Sequence, residues 1–123
     1  MKLLKLWFPV FFWCWLIFYL SGTPSLETPW GVWDFILRKI AHILEYYILA
    51  WLIYRAFKGT FVSSWINLYF WPGALSFLYA VSDEIHQYFV PTRGPSAEDV
   101  LIDCFGIIIF FMIIRRRAGA VRR

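Results

Sequence analysis

Charge is what this chain has least of. Only 16% of its residues are Asp, Glu, Lys or Arg, while 61% are hydrophobic and 23% aromatic, and the mean hydropathy is +0.61. A chain of 123 residues cannot hide that much apolar surface in one small water-filled setting, so composition excludes an ordinary soluble domain and requires lipid around it. Cysteine is scarce too. Cys14 and Cys104 both sit in apolar runs, where a buried thiol is the usual state, which excludes a disulfide framework. The sequence has no glycine-rich phosphate loop, no dinucleotide fingerprint, no internal repeat and no low-complexity stretch. Ser82 adjoins Asp83, but no Ser-His-Asp arrangement follows from that neighbourhood.

What is present divides into four apolar stretches. Crossing the hydrocarbon takes about 20 residues per helix, so four crossings consume most of the chain and leave room for one domain only, residues 1–123. The run LWFPVFFWCWLIFYL, preceded by Lys2 and Lys5, is the first span, about 6–21. A signal peptide has a similar charged start, but SGTPS offers no small-x-small cleavage site and the Trp content favours a retained anchor. A Gly/Pro/Ser/Thr-rich loop follows and places Trp30 and Trp33 near an interface. Asp34 is positioned to cap a second span, about 35–57, that stops at Lys58-Gly59-Thr60. The third apolar region, about 64–89, is interrupted by Pro72 and Gly73, and reads either as one kinked helix or as an interfacial piece followed by the span proper. Ser96 with Asp99 three residues on resembles a capped start to the fourth span, about 97–114. The predicted fold class is therefore all-α, an integral membrane four-helix bundle.

Nine cations, Lys2, Lys5, Arg55, Lys58, Arg115, Arg116, Arg117, Arg122 and Arg123, fall on one side of this arrangement. The positive-inside rule makes that side cytoplasmic and puts both termini there. The net charge of +4 then reflects topology, and the basic tail is a membrane-surface anchor with no nucleic-acid partner.

The acids concentrate elsewhere: five of the eight lie within residues 82–103. At about 1.5 Å per residue, His42 and Glu45 lie about 12–16 Å down the second helix from its outer end, Asp83 about 9 Å down the third and Asp103 about 11 Å down the fourth. Helical spacing aligns them as stripes. Arg38, His42 and Glu45 recur at i, i+4, i+7; Asp83, His86 and Gln87 at i, i+3, i+4; Asp99, Asp103 and Gly106 at i, i+4, i+7. A charge facing lipid costs about 2.5–3.5 kcal/mol, so the stripes are expected to face one another in the extracytoplasmic half, with Glu84 at the edge beside Gln87. Polar glue between helices is the bland alternative, each hydrogen bond contributing about 0.6–2 kcal/mol. Several carboxylates and two histidines at one depth exceed what glue requires, which favours a pocket.

For chemistry, His42, Glu45, Asp83, His86 and Asp103 are the candidate catalytic groups. His86 and Glu45 suit acid-base work, while Asp83 and Asp103 suit orienting the histidines or binding metal. Arg38 and Arg93 suit an anionic head group, and Lys39, Glu84, Gln87 and Asp99 complete the lining. Lys39 is also placed to snorkel toward headgroups. A divalent metal is a candidate cofactor by ligand type, though neither HILE nor DEIH has the spacing of a metal signature.

The ordered set RKIAHILEY, DEIHQ and RGPSAEDVLIDCFG resembles the VanZ-like family of small bacterial membrane proteins, over roughly residues 38–106. That resemblance implies a multi-pass protein of the bacterial cytoplasmic membrane. For the founding member it implies a contribution to resistance against teicoplanin, a lipid-bearing glycopeptide, by a route that does not itself assemble altered wall precursors. The family pattern falls on Arg38, Lys39, His42, Glu45, Tyr46, Asp83, Glu84, His86, Gln87, Arg93, Asp99, Asp103 and Gly106. Two departures stand out: Thr92 where a Gly commonly precedes the Arg, and Phe110 where a second small residue often follows Gly106. The resemblance supplies no reaction. The expected ligand is an amphiphilic envelope molecule, either a lipid or a lipoglycopeptide, that is bound or modified at its polar head. A non-catalytic accessory module is the competing class. Ion or proton translocation is disfavoured because no ionisable relay continues into the other half. Oligomeric state stays open.

Overall fold

The computed structural model describes residues 2–22, 31–89 and 97–122. Among these residues the chain forms α1 (Lys2–Gly22), α2 (Val32–Thr60), α3 (Trp71–Tyr88) and α4 (Ala97–Arg122), with a π-helical turn at Ile66–Phe70 and no strand. By length and composition one helix, Lys2–Leu20 within α1, is apolar enough to cross a membrane; the other three carry acids.

The centre of the fold is α2, which packs against all three other helices. Its buried positions Tyr46, Leu49, Ala50, Leu52, Ile53, Ala56 and Phe57 form a broad face, about 160° of the helix at 100° per residue. By contrast, α1 buries only the narrow stripe Leu6, Val10 and Ile17, and α3 the stripe Pro72, Ser76, Ala80, Asp83 and Gln87. Contacts between α2 and α4 advance together along both chains, Lys39 with Asp99, His42 with Asp103, Tyr47 with Phe110, so these helices run parallel. They are also unusually close. A Cβ on Gly106 would run into the carbonyl of Ile43 and lie 3.2 Å from the amide nitrogen of Tyr47. Phe110, one turn on, does not spoil the approach, because its ring is buried edge-on against Tyr47 and Tyr54 beside the crossing. One glycine suffices for the contact.

Two local features differ from the sequence expectation, and a third is an alternative that the sequence left open. α2 begins at Val32, with Gly31 at φ 49° before it, so Asp34 lies inside the first turn and is not the cap. A positive φ costs glycine nothing, and the chain therefore turns into the helix three residues early. The helix also runs on to Thr60, where the backbone N–H of Phe61 closes it on the carbonyl of Phe57 at 2.9 Å. At Pro72 the chain takes the first of the two alternatives, one helix running through the proline. Helix continues from Trp65 through the π turn into α3, with Pro72 near the α-helical start. Proline cannot donate to the carbonyl four residues back and collides with it; widening the preceding turn to i+5 spacing relieves both. The expected cap at Ser96 lies outside the described residues.

Hydrogen bonds from aromatic tips tie α1 down. Trp7 Nε1 donates to Thr60 Oγ1 at 2.9 Å, Trp13 Nε1 to the carbonyl of Glu45 at 2.9 Å, and the Tyr79 hydroxyl to the carbonyl of Cys14. Buried Trp and Tyr need such partners, and here helix backbones supply two of them. Outside these contacts the surface is apolar on every helix, with Phe8, Phe11, Trp15, Leu44, Trp51, Leu78, Phe105, Ile108 and Met112 all exposed.

Candidate functional site

Because α2 and α4 are parallel and nearly touch at Gly106, the residues one turn earlier on each are forced together. His42 Nδ1 lies 3.0 Å from Asp103 Oδ1. Asp103 is only 1% exposed, and a carboxylate at such a site requires this partner. One further turn out, Lys39 Nζ meets Asp99 Oδ1 at 2.6 Å. The Lys39 ammonium thus reaches a carboxylate on the neighbouring helix and remains partly exposed. Both cysteines are free thiols and half-buried.

From the third side α3 contributes Asp83, 5% exposed, whose Oδ2 accepts from the Tyr46 hydroxyl at 3.2 Å and from Gln87 Nε2 at 3.5 Å. The two buried carboxylates belong to one electrostatic unit. Asp83 and Asp103 act on each other and both act on the Tyr46 hydroxyl between α2 and its neighbours. His42 feels Asp103, Glu45 and Asp99 together. The structure thus gathers Lys39, His42, Glu45, Tyr46, Asp83, Gln87, Asp99 and Asp103 at one end of the packed helices.

His86 stands apart from them. Its ring lies flat on Phe18 of α1, centroids 4.2 Å apart and planes at 14°, and its buried Nδ1 has no hydrogen-bond partner. The i, i+3 offset from Asp83 turns it toward α1 while Asp83 faces α2, so the pairing of His86 with an orienting aspartate does not form. Arg38 is exposed in the N-terminal part of α2, Glu84 is half-buried, and both engage neighbours. Arg93 lies outside the described residues. Ser82 hydrogen-bonds to the carbonyl of Tyr79, at 2.8 Å, and is thereby committed to its own helix.

Tyr46 is the site residue that side-chain chemistry alone passed over. It is fully buried and orients Asp83, and the available signal was its position four residues after His42, on the same stripe. The metal expectation finds no matching donor set, since among the described residues no group of three or more His, Cys, Asp or Glu is gathered to hold an ion.

The family model described as VanZ/LLP1 matches residues 6–118. No curated protein and no solved structure matches the chain.

Proposed function

Since the chain belongs to the VanZ/LLP1 family, whose members are generally membrane-associated, we propose that it is a multi-pass protein of the bacterial cytoplasmic membrane whose polar site engages the head group of an amphiphilic envelope molecule. A lipoglycopeptide of the teicoplanin type or a lipid of the envelope fits that description, which links the protein to resistance of the kind the family resemblance implies.

The observation that carries this proposal is the burial of Asp83 and Asp103 among helices whose outer faces are apolar. Water-soluble proteins seldom leave so many large apolar side chains exposed while burying acids; here Asp83 and Asp103 are buried beneath exposed apolar faces on every helix. In lipid it is favourable, because large side chains such as Phe11, Trp51 and Phe105 meet acyl chains while the acids meet His42, Tyr46 and Gln87. With the cations facing the cytoplasm, the acidic end opens outward.

In this site Arg38 and Arg93 hold an anionic group, and Asp83 and Asp103 fix Tyr46 and His42. If the head is altered, Glu45 and His86 handle the proton.

A second function, that of a binding or accessory module without chemistry, has its own support. His42–Asp103, Lys39–Asp99 and Tyr46–Asp83 are satisfied by one another, as purely structural pairs would be. One experiment separates the two. His42, Glu45, Asp83, His86 and Asp103 are replaced singly by Ala, Asp83 also by Asn, and envelope lipids and lipoglycopeptide susceptibility are compared at matched protein levels. Loss with Ala and with Asn favours chemistry. Loss with Ala but retention with Asp83→Asn favours the accessory module, and unchanged phenotypes throughout reject the pocket.

A further inference from the structure

At the other end of α2 the chain has cations and no acids. Between Tyr46 and Ser82, and again after Asp103, the sequence contains no Asp or Glu, yet Lys2, Lys5, Arg55, Lys58 and Arg115–Arg117 all fall at this end. Here α1 and α2 enclose an open groove of about 530 Å³ lined by Leu4, Lys5, Phe8, Pro9 and Arg55.

The groove has a built polar wall and an apolar floor. Pro9 sits inside α1 and has no N–H, so the carbonyl of Lys5, four residues back, loses its helical donor. Arg55 replaces it, Nη2 to Lys5 O at 3.4 Å, with its guanidinium 6.0 Å above the Trp51 ring. Among the described residues that is the one hydrogen bond Arg55 makes, and a guanidinium has five N–H groups. Lys5 lines the same groove and adds a second cation to it. Leu4 and Phe8, 64% and 61% exposed, continue the groove along α1. Its walls are held in register by the Trp7–Thr60 hydrogen bond and by Gly59, where a Cβ would press on the side chain of Leu6.

We propose that this groove is a binding site for an anionic phospholipid, with Arg55 and Lys5 on the phosphate and the first part of an acyl chain along Leu4, Phe8 and Pro9. A fork of guanidinium donors plus a neighbouring ammonium matches a phosphodiester, and basic clefts between helices at a cytoplasmic face take such head groups. Charge complementarity selects the occupant: with no acid nearby, an anion is what these cations lack. The site rests on the membrane reading above but not on the polar pocket at the opposite end.

The test uses the full-length protein in neutral detergent, with phosphatidylglycerol or phosphatidylcholine added and bound lipid counted by native mass spectrometry. One phosphatidylglycerol is expected to be retained about tenfold in preference to phosphatidylcholine. Lys5→Gln with Arg55→Gln lowers the preference to about twofold or less, while Arg115→Gln, Arg116→Gln and Arg117→Gln together leave it intact. Leu4→Ala with Phe8→Ala keeps the cations and is expected to shorten retention several-fold, a check that stands if the charge variant folds poorly. No preference in the wild type, equal loss in the tail variant, or displacement by excess inorganic phosphate overturns the site. Asp103→Asn is expected to keep the lipid preference. Failure of the wild type to resist carbonate extraction from membranes would sink the membrane premise itself, whereas failure of lipid preference in inserted protein sinks this groove alone.

Discussion

The two halves of α2 solve the same packing problem with different chemistry. From Lys39 to Tyr46 the helix meets its neighbours through side-chain polar pairs, with Asp99, Asp103 and Asp83 as partners. From Leu49 to Thr60 it meets them through small and apolar residues, and polar contact is confined to Trp7–Thr60 and Arg55–Lys5 at the rim. Gly106, at the boundary, sets the spacing for both. The comparison teaches that polarity here is concentrated rather than spread as adhesive, because the half without acids buries its own apolar core without polar pairs inside it.

Four substitutions break or sharpen that contrast. Gly106→Leu strikes both halves at once. Its side chain has nowhere to go but through the α2 backbone, and a loss of about 3 kcal/mol or more is expected, read as depleted folded protein and a lowered unfolding midpoint in detergent. A wild-type midpoint would mean that α2 and α4 are not held at contact distance.

Next comes the polar half alone. His42→Ala and Asp103→Ala should each cost about 2–3 kcal/mol, since each leaves a buried partner unsatisfied, and the double variant should cost less than their sum by about 1–3 kcal/mol. Strict additivity in that cycle would deny that the pair is coupled. The smallest effect belongs to the apolar half: Trp7→Phe removes one indole donor at a rim where water replaces it, costing about 0.5–1 kcal/mol in the same assay.

Much of this architecture was legible in the sequence because helical periodicity and carboxylate cost are local rules. The stripe positions of His42, Asp83 and Asp103 followed from spacing, and a buried carboxylate's need for a partner is met where Asp103 takes His42 and Asp83 takes Tyr46. What sequence could not give was which partner each would take. Asp99 claims Lys39 only because α2 and α4 run parallel at Gly106 distance, and no spacing rule encodes a crossing angle. His86 shared a stripe with Asp83 in one dimension, yet the 100° step between helical residues turned it onto Phe18. Pro72 announced a perturbation and left its form open, since a kink, a break and a π turn all satisfy a missing N–H.

One detail simplifies any dissection of Glu45. The bolt that fastens α1 at this height, from Trp13, slides into the peptide oxygen of residue 45 and ignores its side chain. Exchanging Glu45 for Gln or Ala therefore interrogates the carboxylate by itself, with the first helix still latched in place.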